Sequence, residues 1–145
     1  RPVPAAYAGE GKAVIGIYRP NGAFGSKWWL LRSTQGVIAA TFGQPTDKTV
    51  QGDYTGDGKA DMAFFRPATG EWYVLRTSDF TFFAFPFGLG TDTPAPGDYD
   101  GDGRMDAAVF RGSTTTWFAN GSTSGTIITT FGIPGDRAVP NAYVR

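Results

Sequence analysis

An all-β chain, built as small antiparallel sheets stacked face to face, is what this sequence predicts, and three observations predict it. Glycine and proline are abundant (21 and 10 of 145 residues), and 12 Phe, 6 Tyr and 4 Trp accompany them. Short strands joined by tight turns use that composition. No segment carries apolar residues at helical spacing for three turns. The chain also repeats itself. Phe42-Gly43, Phe87-Gly88 and Phe131-Gly132 recur at 45 and 44 residues, with Asp47, Asp92 and Asp136 each four places after the glycine. Arg19, Arg66 and Arg111 recur at 47 and 45, followed by Trp28, Trp72 and Trp117. Such in-phase markers identify a tandem array.

Each unit reads alike. An acidic glycine turn leads into a short apolar strand, Asp61-Met62-Ala63-Phe64-Phe65-Arg66 in the middle copy. The turn Pro67-Ala68-Thr69-Gly70 precedes a second strand, Trp72 to Arg76, and a third runs from Thr81 to Phe85 and ends at the Phe-Gly marker. The stretch Pro94-Ala95-Pro96-Gly97 is read as a short fourth, edge strand, where proline is tolerated. Many strands are apolar on consecutive positions, so their sheets are expected to be covered on both faces. Stacked sheets of this size are β-propeller-type blades. The repeat units are taken as 1–47, 48–92 and 93–136, with 137–145 starting a fourth, because Val139-Pro140-Asn141-Ala142-Tyr143 matches Val3-Pro4-Ala5-Ala6-Tyr7.

The richest motif is Asp98-Tyr99-Asp100-Gly101-Asp102-Gly103-Arg104-Met105-Asp106. Its carboxylates stand at positions 1, 3, 5 and 9, its glycines at 4 and 6. A hard cation takes roughly six to eight oxygens, and a tight loop converges alternate side chains on one point. Candidate ligands are therefore Asp98, Asp100, Asp102 and Asp106, with the backbone carbonyl of Arg104. Four carboxylates this close repel one another without a cation. A second copy offers Asp53, Asp57 and Asp61, the carbonyl of Lys59, and Thr55 in place of the position-3 carboxylate. One charge fewer predicts weaker binding. The first copy, Ala6 to Val14, keeps the turn glycines but one acid, and no metal is expected there. The expected cofactor is calcium, in one strong and one weaker site.

The pattern from Gly97 to Arg111, and less fully from Gly52 to Arg66, followed by Trp and then Phe-Gly, resembles the FG-GAP/VCBS repeat family. The resemblance implies blades of a propeller in an extracellular or cell-surface protein, with calcium held structurally in the aspartate loops. By that resemblance the ligands are Asp98, Asp100, Asp102 and Asp106, with Asp53, Asp57 and Asp61.

Other classes lack their residues. The net charge is zero, so no field draws the chain to nucleic acid. Cysteine and histidine are absent, which removes thiol nucleophiles, the usual zinc sites and the commonest general base. The paired carboxylates are claimed by the loops, and no enzyme is expected. No apolar run approaches the ~20 residues of a bilayer span, so no membrane insertion is expected. Three blades leave two faces open, since propellers have about four to eight. Two explanations stand: neighbouring repeats of a longer propeller, or self-association of copies into a ring or filament.

A lectin-like domain is the alternative to an adhesion scaffold. Its candidate residues are Trp29, Asn21 and Lys27, where the first unit is three residues longer than the pattern requires. The equivalent tryptophans are expected in the core, and the equivalent arginines to pair with carbonyls or carboxylates of a neighbouring blade. Asn120-Gly121 is read as a two-residue hairpin turn. A glycan or a surface protein is a further partner class.

Overall fold

The computed structural model of the chain describes residues 1–139. Eleven strands and no helix occur among them, arranged as three antiparallel sheets. The first sheet has the order β1-β2-β3, from Ile15–Arg19, Lys27–Arg32 and Gly36–Thr41. The second is β4-β5-β6-β7, from Lys48–Thr49, Met62–Arg66, Glu71–Leu75 and Phe82–Pro86. The third is β8-β9-β10-β11, from Thr93–Pro94, Ala107–Arg111, Thr116–Gly121 and Gly125–Thr130. In the first sheet the bridge between Pro2 and Ile17 stands where β4 and β8 stand in the others. The expected start of a fourth unit lies mostly outside the described residues.

Two local readings are corrected. The proline-rich edge strand is Thr93–Pro94, and it pairs with β9. It therefore opens the next sheet and does not close the previous one. Asn120-Gly121 is not the hairpin turn: Asn120 pairs with both Ala107 and Thr126, and Gly121 faces Gly125 across the closing pair. The loop is Ser122 to Ser124, because Gly125 (φ 77°) supplies the left-handed residue that ends a three-residue hairpin. Arg32 and Gly36 (φ 71°) close the first sheet's hairpin in the same way.

The consecutive apolar positions do what two-sided burial requires in the middle sheet. One face sends Met62 and Leu75 into a cluster with Tyr18, Trp28 and Leu30 of the first sheet. The other sends Ala63, Phe65, Trp72 and Val74 against Ala107 and Val109 of the third. Trp28 and Trp72 are fully buried, as expected of core residues. Trp117, expected in the core as well, is half-buried because among the described residues no sheet packs on the outer face of the third sheet.

The recurrent markers form one joining device. Trp28, Trp72 and Trp117 each donate an indole N–H to the carbonyl of Phe42, Phe87 and Phe131. The glycine that follows takes positive φ (Gly43 108°, Gly88 93°), which only glycine adopts without strain. The chain then turns so that Asp47 Oδ2 accepts the Gln44 N–H and Asp92 Oδ2 the Leu89 N–H. Both aspartates are fully buried, and each receives a two-pronged guanidinium from the following sheet. Arg66 donates to Asp47 at 3.0 and 2.9 Å, and Arg111 to Asp92 at 2.9 and 2.9 Å. Arg66 also lies over Phe64 and Tyr73, and Arg111 over Phe118. Such pairs supply direction as well as charge.

Candidate metal centre

Each acidic loop sits between an edge segment and the first long strand of its sheet. Bridges from Gly52 to Asp61 and from Gly97 to Asp106 close the two loops, as Ala5 and Val14 close the degenerate first one. Tyr54 and Tyr99 anchor their loops by donating O–H to the carbonyls of Val50 and Ala95, four residues back. The glycines at positions 4 and 6 have φ of 76° and 89° in the third loop and 75° and 81° in the second. These angles bring the turn's N–H groups inward onto the first aspartate. Asp98 accepts from Gly101, Asp102 and Gly103, and Asp53 from Gly56, Asp57 and Gly58.

Position 9 is the deepest. Asp61 and Asp106 are buried, and each ties its loop to the hairpin of its own sheet. Asp106 accepts the N–H groups of Tyr99 and Ser122, and Asp61 those of Tyr54 and Thr77. Burial pushes the Asp61 carboxyl up to about 6 against these hydrogen bonds, with Asp53 and Asp57 adding repulsion. Burial raises Asp106 as well. Asp100 moves oppositely, to about 2, chiefly because the Thr123 backbone N–H donates to it, with the Thr123 hydroxyl and Ser124 N–H assisting.

In the third loop, ligand atoms of Asp98, Asp100 and Asp106 lie within 4.8 Å of one another, a group that can hold a metal ion. Asp100 Oδ1 is buried and accepts no hydrogen bond among the described residues, an acceptor left open beside two other carboxylates. Hard oxygen donors with an unsatisfied oxygen among them fit a calcium-type cation. Asp102, expected as a fourth ligand, is not in this group. Its Oδ1 accepts the Arg104 N–H and its Oδ2 the Ser122 hydroxyl, because the hairpin after β10 folds over the loop.

The second loop differs at position 3, where the Thr55 hydroxyl turns onto Asp53. Among the described residues, Asp53, Asp57 and Asp61 do not converge as the third loop's trio does. Asp57 accepts the Lys59 N–H, as Asp102 does that of Arg104.

Sequence reasoning missed how successive loops interlock. Met105 donates its N–H to the Asp53 carbonyl, and Ala60 to that of Ala6. The Arg104 side chain lies against Gly56, where an added Cβ would stand 2.8 Å from Nε, and Lys59 lies against Gly9 in the same way. A cation thus covers the second loop from the third. The repeated Lys59 and Arg104 at position 7 carried that signal.

The alternative ligand residues fall on β2 of the first sheet and on the loop that precedes it. Asn21 caps its own turn, Oδ1 accepting the N–H groups of Ala23 and Phe24. Lys27 and Trp29 share one face of β2, and Arg19 stacks over the Trp29 ring at 5.8 Å.

Tandem units of a small antiparallel sheet joined to an acidic glycine turn define a blade-type repeat protein whose ring is not closed. Residues 53–109 match the family model of the FG-GAP-like repeat, and the chain carries that repeat over this span. Comparison with curated proteins and with solved structures finds no match. FG-GAP-like repeats are in general structural and adhesion modules found outside the cell or at its surface. No helix among the described residues is long and apolar enough to cross a membrane.

Proposed function

We propose that this chain is a calcium-stabilised structural or adhesion module of an extracellular or cell-surface protein. The observation that carries the reading is the open Asp100 Oδ1 beside Asp98 and Asp106. These three residues would hold the ion, whose charge offsets the mutual repulsion of the carboxylates. The chain's own groups do the rest. Asp106 links the loop to the hairpin after β10 through the Ser122 N–H, and Asp98 gathers the turn. Stiffening the loop therefore stiffens the sheet it belongs to. Catalysis is no part of this reading, since the carboxylates are bound into turns by backbone N–H groups.

Thermal unfolding with and without calcium tests it. The expected result is a melting temperature that rises with millimolar calcium and falls back on chelation. A melting temperature indifferent to calcium, with no heat of binding in calorimetry, ends the reading.

A carbohydrate-binding module is the second reading, favoured by Trp29, an indole partly exposed on an open sheet face. Glycan titration of the chain and of Trp29→Ala separates the two, because only the lectin reading expects saturable binding that this change removes.

A further inference from the structure

The joining device between sheets occurs twice within the chain, and each of its halves occurs once more without a mate. On the first sheet, Arg19 is the counterpart of Arg66 and Arg111. It is exposed and already stacked over Trp29, as they stack over Tyr73 and Phe118. No aspartate meets it among the described residues. After the third sheet, Asp136 is the counterpart of Asp47 and Asp92. Its Oδ2 accepts the Ile133 N–H at 2.9 Å in the same turn, yet it is exposed and receives no guanidinium among the described residues.

The apolar parts are divided in the same way. Ile15 and Leu31, 66% and 51% exposed, hold the places from which Met62 and Leu75 fill the cluster between the first and second sheets. Ile17 (46% exposed) is the counterpart of Phe64, which packs on Phe42 at 4.7 Å, and the counterpart of Phe42 is Phe131 (75% exposed). The third sheet's outer face is an apolar groove of about 350 Å³ lined by Ala108, Trp117, Ala119 and Ile127. It corresponds to the face of the second sheet, with Ala63, Trp72 and Val74, that receives Val109. The loops agree. Gly9 and Gly56 are covered by Lys59 and Arg104, whereas among the described residues nothing lies within 4 Å of a Cβ placed on Gly101, and Lys12 is the unused side chain at position 7 of the first loop.

We infer that the first sheet of a second copy docks on the third sheet of the first, with Arg19 of one chain closing on Asp136 of the other. One chain carries both halves, so a second copy suffices as the partner. Charge, apolar shape and loop cover all point to the same pairing and the same direction. The contact is head to tail: a rotation that closes gives a ring, and one that does not gives a filament. Residues 1–3 of the incoming copy hold the path that Lys48 and Thr49 follow after Asp47. Residues 137–139 carry no strand pairing, and the docking requires that they leave this path to the incoming copy. This inference goes beyond the calcium reading, and it is tested with chelator present as well as with calcium.

Sedimentation across a concentration series, with circular dichroism to verify folding, provides the test. The wild-type chain should gain mass with concentration, and Arg19→Asp or Asp136→Arg should weaken association roughly tenfold or more, the loss expected for a desolvated charge pair. Ile17→Asp blocks only the head and Phe131→Asp only the tail, and both sites are exposed enough to spare the fold. Each variant alone should be monomeric, and an equal mixture should form dimers through the one intact head and the one intact tail. A wild-type chain that stays monomeric, single variants that associate like wild type, or a mixture that stays monomeric each overturn the inference.

Discussion

The middle sheet and its two neighbours share three long strands in the same order, but they differ in what covers them. Strand β5 is buried at four consecutive positions, whereas β1 alternates between buried and exposed, and β11 is largely exposed. Trp72 and Trp117 occupy equivalent places, yet Trp72 is fully buried and Trp117 lines an open groove. Burial in this architecture is conferred by the neighbouring sheet. A blade's stability is thus a sum of its own strands and the interfaces on either side, as expected of repeat proteins.

Breaking the middle sheet should therefore cost more than breaking an outer one. Trp72→Ala removes a side chain packed between two sheets and should lose about 3–5 kcal/mol. Urea unfolding should show a clearly smaller loss for Trp117→Ala. Equal losses would mean that the outer groove is filled in solution, which the second-copy inference predicts at high concentration and not in dilute protein.

The arginines differ in the same sense, by what the neighbouring unit supplies. Arg66→Met strands the fully buried Asp47 carboxylate, and Arg111→Met strands Asp92, each expected to cost on the order of 3 kcal/mol. Arg19→Met, with no carboxylate partner, should stay within about 0.5 kcal/mol in dilute protein. Chemical denaturation of the three variants side by side checks the order.

Calcium distinguishes the two acidic loops. At a hundredfold excess over its dissociation constant, calcium should add about 2.7 kcal/mol to the stability. Asp100→Asn in the third loop should abolish most of that gain, and Asp57→Asn in the second should change it little. A larger effect of Asp57→Asn, measured by calcium-dependent melting, would move the strong site to the second loop.

The smallest effect concerns protons. The Asp61 carboxyl is raised to about 6, so the folded chain binds this proton more tightly than the unfolded one. In chelator, its contribution is present at low pH and is lost as pH rises through about 6. Asp61→Asn should flatten that part of the profile. A variant whose pH dependence between 4 and 7 matches wild type (a window of about three units around the raised value) would refute the assignment.

Much of this fold was legible in the residues because its markers have local causes. Turn glycines, the tryptophan that bonds the Phe-Gly carbonyl, and aspartates spaced to face one point each act within a few residues or one hairpin. The three sheets, the acidic loops at 53–61 and 98–106 and the core tryptophans Trp28 and Trp72 followed from these. What was harder to read depended on which neighbour wins when a group has more than one possible partner. Asp102 stands apart from the carboxylate trio, its Oδ2 accepting the hydroxyl of Ser122 from the hairpin after β10. The Asn-Gly turn was misread for a local reason, since Gly125 offers the left-handed residue four places on.

The repeat, its period and the chemistry of its loops are written in the order of residues, since spacing along a chain sets which side chains a tight turn can gather. Which faces are covered, which arginine finds its aspartate and which oxygen stays open are settled by the folded arrangement of the sheets. Those outcomes depend on the neighbouring sheet, and its position is set by packing across space, which no local spacing records.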